Sequence, residues 1–494
     1  LKNHSLTKLI SKSVQISSGH PNIYQPITKK KELETKLSKV TFGAKDTKQI
    51  NKTILLVGET GSGKSSLVNA IFNHVMGVQF EDGVWFQIVD RQEGETPDVI
   101  IYEICNSEGK ILPYSITIID TPGYGNTKGI KHDDIVTERM RKLFETENSI
   151  HVLHAVGLVM KATDNRLSDR LMYIFDSVMS LFGNDMEKNI VALITHSNGR
   201  TPKNALQAIE AANLRCAKHE NNQPVYFLFN NQQNEDRTDE EHHKNADTIT
   251  MRGLNGFTAF LEKTAPRKLD MALDVLNERI RLSACIQNLQ ERIRLSELKE
   301  AEIEQIKEAL KIHEKNKIND KVTVEFDEAY KGKEAIEGDI WLMTLVKGAV
   351  CCTICEENCH YPGCSTSRKP EDCEVMKDGR CTVCTLKCPA SAHVKGKWRY
   401  VNKTKRVQRS LDEIKRKSKQ ENSLDFLVNL EKDLKKLKAE KSQLLEEALQ
   451  HIDNLGQIAL KVNSVSTFVP YDCLIEKLND REEANKIRKL EEMK

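Results

Sequence analysis

No stretch of this sequence approaches the roughly eighteen uninterrupted apolar residues needed to cross a bilayer. The first residues are polar and basic, without the apolar core of a signal peptide. Aromatic residues are scarce at 5%, while charged residues reach 30%. That balance argues against one compact core and fits a globular domain joined to long solvated helices. An excess of one charge is also missing. The net charge of +2 selects neither nucleic acid nor membrane through a global field. The local runs Lys29–Lys31 and Lys435–Lys438 are mixed with other residues and read as solvated faces. These absences point to a cytoplasmic protein. The chain begins at Leu1 rather than Met, which leaves open what precedes it. At 494 residues it is too long for one core and suggests two or three domains.

Residues 1–50 lack sustained periodicity and read as a flexible leader, with a short helix near Lys31–Leu37. Residues 51–263 alternate short apolar runs (Thr53–Val57, Val99–Ile104, Ile116–Ile119, Ala155–Met160, Ile190–Ile194, Val225–Phe229) with helix-like segments. The latter include Ser65–Val75, Asp134–Phe144, Arg166–Phe182 and Pro202–Leu214. Buried runs alternating with helices predict an α/β, doubly wound, mostly parallel sheet. Residues 264–320 then carry apolar positions such as Leu269, Leu273, Leu276 and Ile280 at helical spacing, with a seam that later shifts phase. Residues 409–494 contain a second such seam through Leu427, Leu430, Leu434, Leu437 and Leu444. Between them, residues 321–408 hold a Cys/His-rich module. The expected arrangement is a long α-helical hairpin or coiled coil with a small zinc-bound module at its tip. Lys321–Phe326 and Trp398–Val407 would pair as strands at the base. A coiled coil that dimerises through either helix is the competing arrangement.

The run Gly58-Glu59-Thr60-Gly61-Ser62-Gly63-Lys64-Ser65, with Ser66 after it, satisfies Gly-x-x-x-x-Gly-Lys-[Ser/Thr] without mismatch. It follows an apolar run and precedes a helix-like one, the context the motif requires. Glycines let backbone N–H groups converge on phosphate oxygens, and the helix N-terminus adds its positive dipole end. Lys64 is placed to reach the β- and γ-phosphates, and the Ser65 hydroxyl to bind Mg²⁺. A second strand ends in Asp120-Thr121-Pro122-Gly123. Asp120 can hold Mg²⁺, and the Gly123 N–H can approach the γ-phosphate. The remaining switch ligand for Mg²⁺ is assigned by elimination to Thr96, the one Ser or Thr between Ser66 and Ser107. Lys64, Thr96 and Gly123 are therefore the candidate catalytic groups. Tyr124 and Gly125 follow Gly123, so the Gln that orients water in other GTPases is absent. Ile119 and Thr121 flank Asp120, so no acidic neighbour supplies the base typical of motor or DNA-acting ATPases.

A third run ends in Thr195-His196-Ser197-Asn198, and the next in Asn230-Asn231. His196 can stack on a base, and Asn198 stands where small GTPases place an Asp that accepts from guanine N1 and N2. An amide offers one carbonyl acceptor and no full charge, which weakens guanine selectivity. Asn230 is placed to close the base pocket.

Thr53-Ile-Leu-Leu-Val-Gly-Glu-Thr-Gly-Ser-Gly-Lys-Ser, Asp120-Thr121-Pro122-Gly123-Tyr-Gly, Thr195-His196-Ser197-Asn198 and Phe229-Asn230-Asn231 together resemble the immunity-associated, AIG-type GTPases. These group with septins and chloroplast import receptors. Asn198 departs from the family's usual Thr-His-x-Asp. Cys359-His360-Tyr361-Pro362 resembles a segment of large animal proteins in which a coiled region and Cys/His-rich segment follow such a domain. The resemblance implies GTP/GDP and Mg²⁺ as ligands, slow hydrolysis, and nucleotide-dependent homodimerisation across the G domain. The coiled coil would serve protein partners. A scaffold with little or no turnover is the alternative.

Of thirteen cysteines, nine lie between Cys351 and Cys388. Cys352, Cys355, Cys359 and Cys364 recur at one offset as Cys381, Cys384, Cys388 and His393. Both sets are zinc donors, and two closed tetrahedral sites would be structural. Cys351, Cys373 and His360 are left over, and each can replace a donor. Sites that take ligands from both copies are equally allowed. A disulfide framework needs an oxidising compartment, and the spacing is not that of a RING ligase. Lys395, Lys397, Trp398, Arg399 and Tyr400 mix basic and aromatic groups, open to nucleic-acid binding or to a plain solvated edge.

Overall fold

A computed structural model describes residues 2–34, 37–45, 48–89, 99–105, 112–121, 143–144, 150–164, 179–237, 239–316, 323–336, 348–364, 369–410, 423–460, 475 and 487–488. Two compact units result: Leu1–Val275 with Ile458–Ser466, and Leu276–Gln457 with Thr467–Lys494.

The first unit is built on an eight-stranded sheet. In chain order its strands are β1 (Lys29–Glu34), β2 (Leu37–Phe42), β3 (Asn51–Gly58), β4 (Val99–Ile104), β5 (Ser115–Asp120), β6 (Ala155–Lys161), β7 (Ile190–Thr195) and β8 (Tyr226–Leu228). The spatial order is β8-β7-β6-β3-β5-β4-β2-β1. The pairs β7–β8, β6–β7, β3–β6, β3–β5 and β2–β4 run parallel, while β4–β5 and β1–β2 run antiparallel. Every apolar run expected as a strand is one. β5 and β7 are buried at every position, as strands covered on both faces must be. The helices α1 (Lys64–Met76), α2 (Lys203–Ala211) and α3 (Glu240–Lys263) also belong to this unit. Leu67, Val68, Ile71 and Phe72 of α1 join Ile54 and Leu56 of β3 in one core, and Leu254 and Phe257 of α3 join the same cluster.

The leader differs from its expectation. Lys2–Ser11 is a helix, Ser13–Ser17 pairs with Asn22–Pro26, and Leu37–Phe42 pairs in parallel with β4. Leu37, Val40 and Phe42 are buried, with Ser38, Val40 and Phe42 in alternating phase. Only Val40 and Phe42 keep period two, with a serine at the preceding in-phase position and lysines nearby, so the apolar pattern is hidden among polar residues. The short helix expected near Lys31–Leu37 is replaced by the β1–β2 hairpin. The helix-like segments Asp134–Phe144 and Arg166–Phe182 lie mostly outside the described residues.

From Leu276 to Gln457, the bounds of the second unit's main segment, run most of α4 (Asp270–Asn316) and α5 (Ser423–Ile458), which are antiparallel partners there. Glu278 meets His451, Cys285 meets the Leu444 carbonyl, Arg292 meets Glu440, Glu300 meets Lys438 and Lys307 meets Glu431. One sequence climbs as the other descends, so the two helices form a hairpin within a single chain. A ribbon of β9 (Thr323–Ala335) and β13 (Trp398–Ser410) pairs over all thirteen positions, from Thr323↔Ser410 to Ala335↔Trp398. The expected strand Lys321–Phe326, whose first two residues lie outside the described ones, is a strand from Thr323 and continues to Ala335. Cross-strand ion pairs such as Arg409–Glu328 and Arg399–Glu334 support the exposed ribbon. The strands β10 (Gly348–Cys352), β11 (Glu357–Cys364) and β12 (His393–Gly396) form a small antiparallel sheet. No helix among the described residues is long and apolar enough to cross a membrane.

Gly253 sets how closely α3 lies on β8. A Cβ there would stand 2.1 Å from the Leu228 carbonyl oxygen, and backbone cannot yield as a side chain can. Gly253→Ala is expected to cost about 1–3 kcal/mol through overpacking. The urea midpoint of the first unit measures it, and an unchanged midpoint would show that α3 is free to shift.

Candidate functional site

The phosphate loop lies where β3 ends. Gly58 pairs with Val159, and a Cβ at Gly58 would meet the Val159 carbonyl oxygen at 2.2 Å. Gly63 has φ +92°, a left-handed value that an L side chain resists, and it caps α1. Gly61, also left-handed at φ +75°, faces open space. The loop is anchored from across the sheet, because the Thr195 hydroxyl donates to the Ser62 carbonyl at 2.6 Å. Thr60 and Ser65 stay exposed, and Glu59, Gly63 and Ser66 are half-buried.

Lys64 is buried, and its Nζ donates to the Gly58 and Glu59 carbonyls at 3.0 Å each. Burial lowers its pKa, opposed by the charges of Asp120 and Glu59. Asp120 ends β5 beside Leu56 of β3. Its Oδ1 is buried without a hydrogen-bond partner, as is Ser62 Oγ. Burial raises the Asp120 carboxyl to about 6, with Lys64 acting the other way. Thr121 is turned inward, its hydroxyl donating to the Leu56 carbonyl at 2.9 Å. Lys64, Ser62 and Asp120 therefore meet at the C-terminal edge of a mostly parallel sheet, where such folds bind ligands. An orphaned carboxylate oxygen, a buried ammonium and exposed Ser65 form a donor set that fits Mg²⁺ and a polyphosphate. Thr96 and Gly123 lie outside the described residues.

The residues expected to read the base are at the ends of β7 and β8. His196 is exposed with φ 51°. The Ser197 N–H donates to the Phe229 carbonyl at 3.0 Å, tying the two loops together. Asn198 is exposed, and its carbonyl oxygen accepts from the Arg200 N–H at 3.0 Å. That acceptor is engaged in a local Asx turn. Asn230 is held through its backbone, its N–H donating to Thr250 Oγ1 and its carbonyl accepting from that hydroxyl, both at 2.9 Å. The neighbouring Asn231 carries the buried amide nitrogen without a partner. The Asn-Asn pair was visible in the sequence, but nothing there could say which of the two is starved of a hydrogen bond.

The cysteine module gathers its donors across the two repeats. Cys352, Cys355, Cys384 and Cys388 form one group, and Cys359, Cys381, Cys384 and His393 form another, each with ligand atoms within 4.8 Å of one another. Cys384 belongs to both. The within-copy arrangement, with Cys352, Cys355, Cys359 and Cys364 in one site, is not the one assembled. The sheet brings the two repeats together, setting Cys352 of the first group opposite His393 of the second. The Cys364 side chain lies outside the described residues. The geometry suits zinc. Cys355 Sγ and Cys388 Sγ are 3.7 Å apart, and a tetrahedron with Zn–S near 2.3 Å has an edge of about 3.8 Å. His393 Nδ1 sits 3.0 Å from the Pro389 carbonyl, which leaves Nε2 buried without a partner. A metal-ligating histidine is held in this way. Backbone N–H groups of Cys355, Cys384 and Cys388 donate to the sulfurs of Cys352, Cys381 and Cys384. The described cysteines form no disulfide. Trp398 and Tyr400 pack edge to face with Lys333 over the indole at 4.1 Å, so these aromatics are engaged within the ribbon.

Residues 52–250 match the sequence profile of the AIG1 family. This segment is an AIG1-family GTPase domain. No curated protein shows a significant match to the chain. Among solved structures, a dimerisation-deficient mutant of Toc33 from Arabidopsis thaliana is 16% identical, with TM-score 0.32, covering 44% of this chain and 87% of that one. Toc33 in complex with Mg²⁺ and GMPPNP is 15% identical, with TM-score 0.30, covering 44% and 88%. Elongation factor SelB from Methanococcus maripaludis, with the GTP analogue GppNHp, is 14% identical, with TM-score 0.26, covering 45% and 36%.

The Asp120 environment has a pH consequence. Between its ordinary value of 3.8 and about 6, the folded AIG1 domain holds a proton that the unfolded chain releases. Stability without nucleotide therefore falls as pH rises through that window and stays reduced above it. Asp120→Asn removes the ionisation. The variant is expected to melt above the wild type at pH 7.5, to lose that advantage near pH 4, and to bind Mg²⁺–nucleotide more weakly. Melting curves across pH decide this. A variant no more stable than wild type at pH 7.5 would show that Lys64 fully compensates the charge.

Proposed function

We propose that this protein is a slow, Mg²⁺-dependent GTPase that self-associates through its AIG1 domain in a nucleotide-dependent way. The observation that carries the reading is Asp120 Oδ1, buried without a partner within the same edge as buried Lys64 and the phosphate loop. A carboxylate oxygen held dry and unpaired is costly unless a cation completes it. Lys64 would exchange the Gly58 and Glu59 carbonyls for the β- and γ-phosphates. Ser65 and Asp120, with Thr96, would complete Mg²⁺, and the Gly123 N–H would meet the γ-phosphate. Fixed charge on the transferring phosphoryl group is the main catalytic contribution available here. The missing Gln after Gly123 is the reason for slow turnover, and a group from a second copy is the natural supplement. His196 would stack on the base, and Asn198, Asn230 and Asn231 would border it. A cytoplasmic location completes this reading.

The zinc-tipped helical hairpin would serve protein partners, with two structural zinc ions in the cross-braced sites and the Cys384 thiolate between them. A second reading, a nucleotide-binding scaffold with little turnover, is favoured by the Asn198 acceptor already being engaged by Arg200.

Binding of a fluorescent GTP analogue with Mg²⁺, competed by GTP, ATP and XTP, tests the first reading. GTP is expected to compete best, and Lys64→Ala to weaken binding at least tenfold, about 1.4 kcal/mol. Equal competition by ATP would remove guanine from the proposal. Absence of binding would leave the scaffold. Strong chelation is expected to lower the melting temperature of the second unit, since metal binding and folding are coupled there, while binding of the analogue persists in excess Mg²⁺. A module whose melting ignores chelators would not be zinc-dependent.

A further inference from the structure

Apart from the two cross-braced groups, a third cluster of donors forms around His360. We propose that His360, Cys373 and Glu374 hold a third divalent metal ion of the zinc type, independent of the other two. His360 Nδ1 lies 3.0 Å from Glu374 Oε2 and 3.3 Å from Cys373 Sγ, and Cys373 Sγ lies 3.5 Å from the same Oε2. Three different donor types, one atom from each residue, thus close a triangle. For a tetrahedral ion with Zn–N and Zn–O near 2.0 Å and Zn–S near 2.3 Å, the edges of one coordination face are about 3.3–3.6 Å. The observed triangle is that face, slightly contracted.

The burial points the same way. His360 and Cys373 are 6% and 2% exposed, and the Glu374 side chain 7%. A His–Glu pair by itself would account for one edge of the triangle, but not for a thiol placed against both partners. A buried carboxylate beside a buried thiol is an arrangement that folding avoids without a cation between them. The local chain is built to hold it. His360 is on β11 opposite Val350 of β10, fixed by the sheet. Cys373 closes a short turn, its N–H donating to the Pro370 carbonyl at 3.2 Å and its carbonyl accepting from Met376 at 2.8 Å. The triad shares no donor with the two cross-braced groups. Among the described residues no fourth side-chain donor joins it. The mixed imidazole, thiolate and carboxylate set suits zinc or cobalt better than the oxygen-seeking magnesium or calcium.

The test measures the metal content of the full chain after exhaustive desalting. The wild type is expected to retain three zinc ions per chain, and His360→Ala and Cys373→Ser two each, with binding of the fluorescent GTP analogue unchanged. Wild-type protein with two zinc ions, or variants that keep three, would overturn the third site and reduce the cluster to an ion pair. Protein with no zinc would overturn the third site and the cross-braced sites together, whatever the nucleotide result. Should the variants misfold, X-ray absorption at the zinc edge of the wild type answers alone. The two cross-braced sites offer four and three sulfurs, so their mean exceeds three per zinc. Adding a site with one sulfur brings the mean below three, and a mean above three would overturn the proposal.

Discussion

The placement of an ammonium and a carboxylate, both almost dry, at one edge of a sheet is the constraint on which the first unit depends. Lys64 satisfies itself on the two carbonyls of its own loop, whereas Asp120 keeps an oxygen without a partner. Neither group would be tolerated there if the surroundings could relax. They cannot, because β3 is locked between β5 and β6, and Thr195 pins the loop from β7. Gly58 permits the loop to begin against the Val159 carbonyl, where any side chain would collide. The sheet therefore stores an unfavourable polar arrangement that ligand binding can relieve, as functional sites often do at the expense of stability.

The second unit solves a different problem. A chain segment with few large apolar residues must fold between two long helices. Its core is largely sulfur: Cys352, Cys359, Cys373, Cys381, Cys384 and Cys388 are buried together with Val350, Val375 and Val383. The hairpin contributes polar clamps as well as packing. Arg292 of α4 reaches Glu357, whose carboxylate also accepts from the Thr385 N–H at 2.8 Å. Lys387 reaches Glu447 of α5 and carbonyls of its own knuckle. A buried pair such as Arg292–Glu357 gives register more than stability, and together with the more exposed Lys387–Glu447 pair it fixes the cysteine knuckles against the helices that carry them.

The strands of the AIG1 domain, the phosphate loop and Asp120 were legible because each rests on local rules: an apolar run, a glycine spacing, a residue at a strand end. The helical hairpin was legible for the same reason, from spacing alone. The leader was misread because an edge hairpin rich in lysine carries little periodic signal, and only pairing with β4 gives Leu37, Val40 and Phe42 something to bury against.

The amino-acid sequence by itself determined the donor types of the cysteine module and the chemistry of the phosphate site, since both follow from residue identity and short-range spacing. Which donors share a site was decided by tertiary structure, because strand pairing of Cys352 with His393 brings the two repeats side by side across some forty residues of chain. The same holds for the starved Asn231 and the His360 triad. Hydrogen-bond satisfaction and burial depend on neighbours distant in the chain, and spacing along the chain does not encode them.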